Sequence, residues 1–222
     1  MIFLLSPANC GGNRARIVLS DKATFDLAVR LRSAEGAPLG EVFSFMSGLY
    51  FRGKLAYSRA FAAPPDGVEL DGGGIFVITP TAGLRSPDTR VTVEAIRRFA
   101  GVDVSADNPA YRRPLEQSAR ALAGELGDTP VVLLGSIASP KYVDVLLDIF
   151  GERLLFPQEF VGRGDMSRGG LLLRCAASGQ PLTYVPVAGA VRKGVRPPKL
   201  DPATRVPSGF RPPAAGFRPD RS

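Results

Sequence analysis

Between Phe160 and Gly170 the chain reads Phe-Val-Gly-Arg-Gly-Asp-Met-Ser-Arg-Gly-Gly. From Gly162 to Gly170 this stretch holds two guanidiniums, one carboxylate, one hydroxyl and four glycines. Glycine lets a backbone come close to a ligand, because it has no Cβ and tolerates positive φ. Arg163 and Arg168 carry forked donors that match phosphate, and Ser167 can add a hydroxyl contact. Asp165 supplies a base or a counter-charge. The segment reads as a polyanion-contacting loop beside a reactive carboxylate. The competing reading is a solvated turn feeding a buried strand or helix, with Asp165 ion-paired to Arg163 or Arg168.

A second candidate lies at the other end of the chain. The apolar run Ile2 to Leu5 passes into Ser6-Pro7-Ala8-Asn9-Cys10-Gly11-Gly12, then Asn13, Arg14 and Arg16. A strand followed by a glycine-bearing turn is a common site architecture in α/β proteins, where ligands collect at the carboxyl ends of strands. Gly11-Gly12 fits neither a dinucleotide fingerprint nor a phosphate-binding P-loop. Asn9 can hydrogen-bond a ligand or cap the turn. A third candidate, Ser47 to Tyr57, interleaves Tyr50, Phe51 and Tyr57 with Arg52 and Lys54. Such a mixture stacks on bases and neutralises phosphates. Equally, it can be a helix with core aromatics and solvated cations.

The absence of histidine from the whole chain narrows the chemistry. Ser-His and Cys-His nucleophiles and the usual zinc ligands are excluded. The two cysteines, Cys10 and Cys175, match no metal spacing, so neither a metal nor another cofactor is expected. Met1 to Leu5 is too short and lacks the basic flank of a signal peptide, and no apolar run approaches a membrane span. These features point to a cytoplasmic protein with free thiols and no membrane partner. Cys10, inside a suspected site, is either a redox sensor or inert packing.

The elements that must position these groups alternate. Apolar strands are expected at Ile2 to Leu5, Ile75 to Ile78, Val131 to Leu134 and Leu182 to Val187. Helices are expected at Thr24 to Arg32, within Ser47 to Phe61, and at Val91 to Phe99, Leu115 to Leu126 and Pro140 to Phe150. This is an α/β pattern: one domain over residues 1–190, with a mixed, partly parallel sheet flanked by helices. Three strands end in small, polar turns, at Ser6 to Gly12, Thr79 to Gly83 and Gly135 to Ser139, and these turns should converge on one crevice.

The net charge of +7 is concentrated at the end of the chain. Val191 to Ser222 has eight Lys/Arg and two Asp/Glu, a balance of +6, and the other 190 residues balance to +1. Residues 191–222 are proline-rich, without apolar periodicity, and are expected to be disordered. A basic tail attracts nucleic acid through salt-sensitive, sequence-independent contacts.

The strand with Ser6-Pro7-Ala8, the Ser47-Gly48-Leu49 segment, the strand and turn ending at Asp88, the strand Val131 to Leu134 with Tyr142 downstream, and Arg163 to Arg168 occur in that order. The order resembles the YaaA family of bacterial peroxide-stress proteins, over about residues 2 to 175. It is similar, more loosely, to domains related to the tRNA-guanine transglycosylases. The resemblance implies an α/β fold that binds DNA and limits DNA damage, and the wider kin imply N-glycosidic chemistry on nucleobases. The chain departs from the family in length, in having Asn9-Cys10-Gly11-Gly12 where a lysine commonly follows, and in carrying Asp165 where an apolar residue is commoner.

Together these readings predict a DNA glycosylase acting on duplex DNA with a flipped, modified base. Such a reaction passes through an oxocarbenium-like sugar that a carboxylate can stabilise, or whose attacking water it can activate. Asp165 is the first choice for that carboxylate and Asp88 the second, with Asn9 on the base or the water. Arg14, Arg16, Ser47, Tyr50, Arg52, Lys54, Arg163, Ser167 and Arg168 are the expected nucleic-acid contacts. The alternatives are a DNA-binding stress protein that breaks no bond, and a base-exchange enzyme acting on RNA or nucleosides.

Overall fold

A computed structural model describes residues 1–138, 140–198 and 200. Its centre is a six-stranded mixed sheet built from β1 (Ile2–Leu5), β3 (Ile75–Thr79), β4 (Gly83–Arg85), β6 (Val131–Leu134), β7 (Leu154–Pro157) and β8 (Tyr184–Pro186). The spatial order is β4-β3-β1-β6-β7-β8. β1 pairs in parallel with both β3 and β6, and β6 pairs in parallel with β7. The edge strands β4 and β8 are antiparallel. A separate antiparallel pair joins β2 (Ala37–Pro38) to β5 (Arg90–Val91).

All four residues of β1 are fully buried, which fits a central strand covered on both faces. Alternation divides them between two cores. Phe3 and Leu5 join a cluster with α1 (Asn13–Val18), α2 (Asp26–Arg32), α3 (Leu39–Ser47), α4 (Leu49–Phe61) and α5 (Val93–Ala100). Leu172 of α8 (Asp165–Ser178) packs in the same cluster. Ile2 and Leu4 face α6 (Pro109–Leu126) and α7 (Pro140–Phe150). The chain moves from β1 to β3 on one side and later to β6 on the other, so β1 flanks a topological switch point, where open α/β sheets hold ligands.

Several local expectations change. The glycine-rich segment is a loop only as far as Gly164; α8 begins at Asp165 and takes in Ser167, Arg168, Gly169 and Gly170. The glycines at the contact with α4 serve close packing. A Cβ on Gly169 would lie 2.7 Å from the Leu49 carbonyl oxygen, and one on Gly53 would lie 2.6 Å from that of Gly169. Gly162 is a true turn glycine at φ 73°, and a side chain there would run into the Val195 carbonyl. α6 begins at Pro109, six residues before the helix start expected at Leu115. Asn108 caps α6 by accepting from the Ala110 N–H, Pro109 occupies its first turn, and Pro114 is accommodated inside. The segment 41–45, readable as strand or helix, belongs to α3.

The expected disorder of residues 191–222 falls mostly outside the described residues. Residues 191–198 have no helix or strand. They do touch the body: Val195 lies against Gly162, and Arg192 Nη1 is 3.8 Å from Asp144 Oδ1. Among the described residues no helix is long and apolar enough to cross a membrane.

Candidate active site

Three strand ends meet. Ser6 to Gly11 after β1, Pro80 after β3 and Ser136 after β6 line one cavity of about 520 Å³. Met46 and Ser47 of α3, Tyr50 of α4, Lys141 and Tyr142 of α7 and Asp165 of α8 border it too, as do Phe99 to Val104 in part. Asn9, Ser47, Tyr50 and Asp165 share this cavity, and Asp88 and the arginines expected beside them do not. Asn9 also performs the turn role, since its Oδ1 accepts from the Gly11 N–H at 3.0 Å.

Asp165 is the first residue of α8, where the positive end of the helix dipole favours a carboxylate. Its side chain is 71% exposed and lies 3.7 Å from Arg168 Nη1. That separation is long for an ion pair, so the carboxylate keeps free acceptor capacity toward the cavity. Tyr50 is buried against Phe160, and its hydroxyl has no hydrogen-bond partner among the described residues. Burial pushes this phenol well above its ordinary range, opposed by Arg168 nearby. It is a neutral donor waiting for an acceptor.

Lys54 is the largest departure from expectation. It is a predicted phosphate contact, yet its side chain is buried beneath the cavity. Nζ donates to the Ser6 carbonyl at 2.6 Å and to Ser6 Oγ at 2.8 Å. It also sits 4.5 Å from the Tyr50 ring centre and 4.9 Å from that of Phe51. Burial holds its pKa down at about 7; Asp165 partly restores it and Arg168 lowers it further. A signal for this burial exists in the sequence. Tyr50, Lys54, Tyr57, Ser58 and Phe61 follow helical spacing on one stripe, and Arg52 falls off it.

Asp88, the second-choice carboxylate, is not in this cavity. It is 68% exposed, lies 3.4 Å from Arg59, and follows the edge strand β4 instead of a parallel strand tip. None of the predicted arginines lines the cavity either. Arg14 donates to the Phe45 carbonyl, Arg16 to Asn13 Oδ1, and Arg52 is exposed on α4. Arg163 donates to the Glu159 carbonyl and to Ser167 Oγ. Arg168, with its side chain only 11% exposed, donates to the Phe160 carbonyl through two nitrogens. Arg163 and Arg168 thus tie the approach to α8 to its first turn. The cation that does line the cavity is Lys141, 5.3 Å from the Tyr142 ring centre, and Asp103 adds a second acid. Both come from segments without motif character.

Cys10 borders the cavity but is buried, and its thiol is pushed up to about 12 by burial, with Sγ 3.6 Å from the Ala8 carbonyl oxygen. A thiol so held is mostly protonated near neutrality, which disfavours a sensor role. Among the described residues no three His, Cys, Asp or Glu side chains gather to hold a metal ion. Compared with models of protein families, with curated proteins and with solved structures, the chain matches none of them.

Proposed function

We propose that the cavity at the strand tips receives a nucleobase turned out of DNA, and that the protein hydrolyses its N-glycosidic bond. The observation carrying this reading is that Asn9, Tyr50 and Asp165, from three elements far apart in the chain, line one cavity. A volume of about 520 Å³ is in the range of small-ligand sites and takes a nucleoside. Tyr50 and Tyr142 give aromatic walls, and Asn9 offers an amide edge. Asp165 at the mouth stabilises the cationic sugar or deprotonates the attacking water. The resemblance to the YaaA family and to base-exchanging domains supports the substrate class. Phosphate contacts fall to Lys141, to exposed Arg52 and to the basic tail.

The test is base release from duplexes that each carry one modified base, such as uracil, hypoxanthine, 8-oxoguanine or 3-methyladenine, with abasic sites revealed by alkaline cleavage. Wild type should release at least one base, and Asp165→Asn should slow that release by about 100-fold or more. DNA that is bound but chemically intact across the panel would replace this reading with a non-catalytic DNA-binding protein. Release confined to RNA or free nucleosides would move it to base exchange or nucleoside hydrolysis.

A further inference from the structure

A base that departs from its sugar carries away the electron pair of the broken bond and needs a proton, and histidine, the usual donor, is absent from the chain. Ser6 is the residue through which the buried Lys54 reaches the cavity. Ser6 follows β1 and lines the cavity, and its Oγ is 2.8 Å from Lys54 Nζ. The other polar partner of Nζ is the Ser6 carbonyl, and two aromatic rings cover the remaining sides. No salt bridge within 4.0 Å ties Lys54 to a carboxylate among the described residues.

Resting on the base-release reading, we propose that Lys54 is the proton store of this site and protonates the departing base through the Ser6 hydroxyl. As the C1′–N bond breaks, Ser6 Oγ–H passes its proton to the ring nitrogen or carbonyl oxygen that takes up the charge. Lys54 replaces it on Oγ and becomes a neutral amine that still bonds Ser6. Water adds to the sugar cation and gives its extra proton to Asp165. Exchange with solvent after product release moves that proton off Asp165 and one back to Lys54, so charge balances over the cycle. Ser6 is the group that touches substrate; Lys54 acts through it.

The charged groups that bear on Lys54 are Asp165 and Arg168, both on α8, with Tyr50 beside it on α4. Asp165 favours the ammonium and Arg168 opposes it, while burial holds the midpoint near neutrality. The proton is therefore held loosely enough to be given up at ordinary pH.

The experiment follows single-turnover base release from pH 5.5 to 9.5 alongside NMR titration of the Lys54 side chain in lysine-labelled protein. Release should fall on the alkaline side, with the midpoint that NMR gives for Lys54. Ser6→Ala should lower the rate by about 100-fold and remove the alkaline limb, since the route from Lys54 is cut. Lys54→Met should remove the same limb. A folded Ser6→Ala that keeps the wild-type rate and profile would overturn the proposal even if Lys54→Met fails to fold. A wild type inactive at every pH would overturn the base-release reading. The proposal falls with it, whereas an active wild type whose NMR midpoint for Lys54 lies near 10 overturns the proposal alone.

Discussion

Replacing Lys54 with methionine should change how stability depends on pH. The unfolded lysine titrates at 10.5 and the folded one at about 7. Above pH 10.5 the amine is neutral in both states, and burial imposes no charge penalty. Between 10.5 and about 7 only the unfolded chain binds the proton, so wild-type stability falls as pH falls through this window. Below about 7 both states bind it and the penalty stays constant. At 1.36 kcal/mol per pH unit, the full window amounts to about 5 kcal/mol. Lys54→Met has no such term. Methionine removes the donor to the Ser6 carbonyl and Oγ, at a cost of about 1–3 kcal/mol that does not vary with pH. Urea denaturation of both proteins at pH 6, 7.5, 9 and 10 isolates the effect, because the other titrating groups cancel in the difference. Wild type should gain about 3–5 kcal/mol on the variant between pH 6 and 10. Parallel curves, within 1 kcal/mol or so, would refute the buried, weakly basic amine.

Gly169→Ala should destabilise by about 1–3 kcal/mol in denaturant unfolding, because the new methyl meets backbone of α4 that cannot yield. Gly170→Ala, whose methyl meets only the Leu200 side chain at 3.6 Å, is the control and should be neutral or slightly stabilising. Asp88→Asn should leave base release within about twofold of wild type, because Asp88 lies on a different surface from the cavity. Cys10 should react with a disulfide reagent at pH 7.5 more slowly than the same thiol in denaturant, in line with its burial and its pKa near 12.

Much of the frame was legible because buried parallel strands announce themselves as short apolar runs. Ile2 to Leu5, Ile75 to Ile78 and Val131 to Leu134 each end in small or polar residues, and their convergence follows from the handedness of parallel connections. The glycines between Gly162 and Gly170 misled because glycine signals two different things. At Gly162 it permits a positive φ, and at Gly169 it permits two helices to touch. Pro114 hid the first turns of α6, since a proline is ordinarily read as a helix boundary. Charge was misread in both directions. Arg163 and Arg168 read as ligand contacts, and in the fold they satisfy carbonyls around the start of α8. Lys54 read as a surface cation, although its register on the apolar stripe of α4 gave its burial away. Lys141 and Asp103 carry no local pattern, so only tertiary packing brings them to the cavity.

Whether an everted base enters this cavity can be measured by photo-crosslinking. A duplex with one 5-iodouracil opposite guanine, bound to Asp165→Asn and irradiated, reports by mass spectrometry which residues touch the ring. Adducts on Tyr50 or Tyr142 are the predicted result. Adducts confined to the surface around Arg14, Arg16 and Arg52 or to residues 191–222, with the two tyrosines unmodified, would contradict the account.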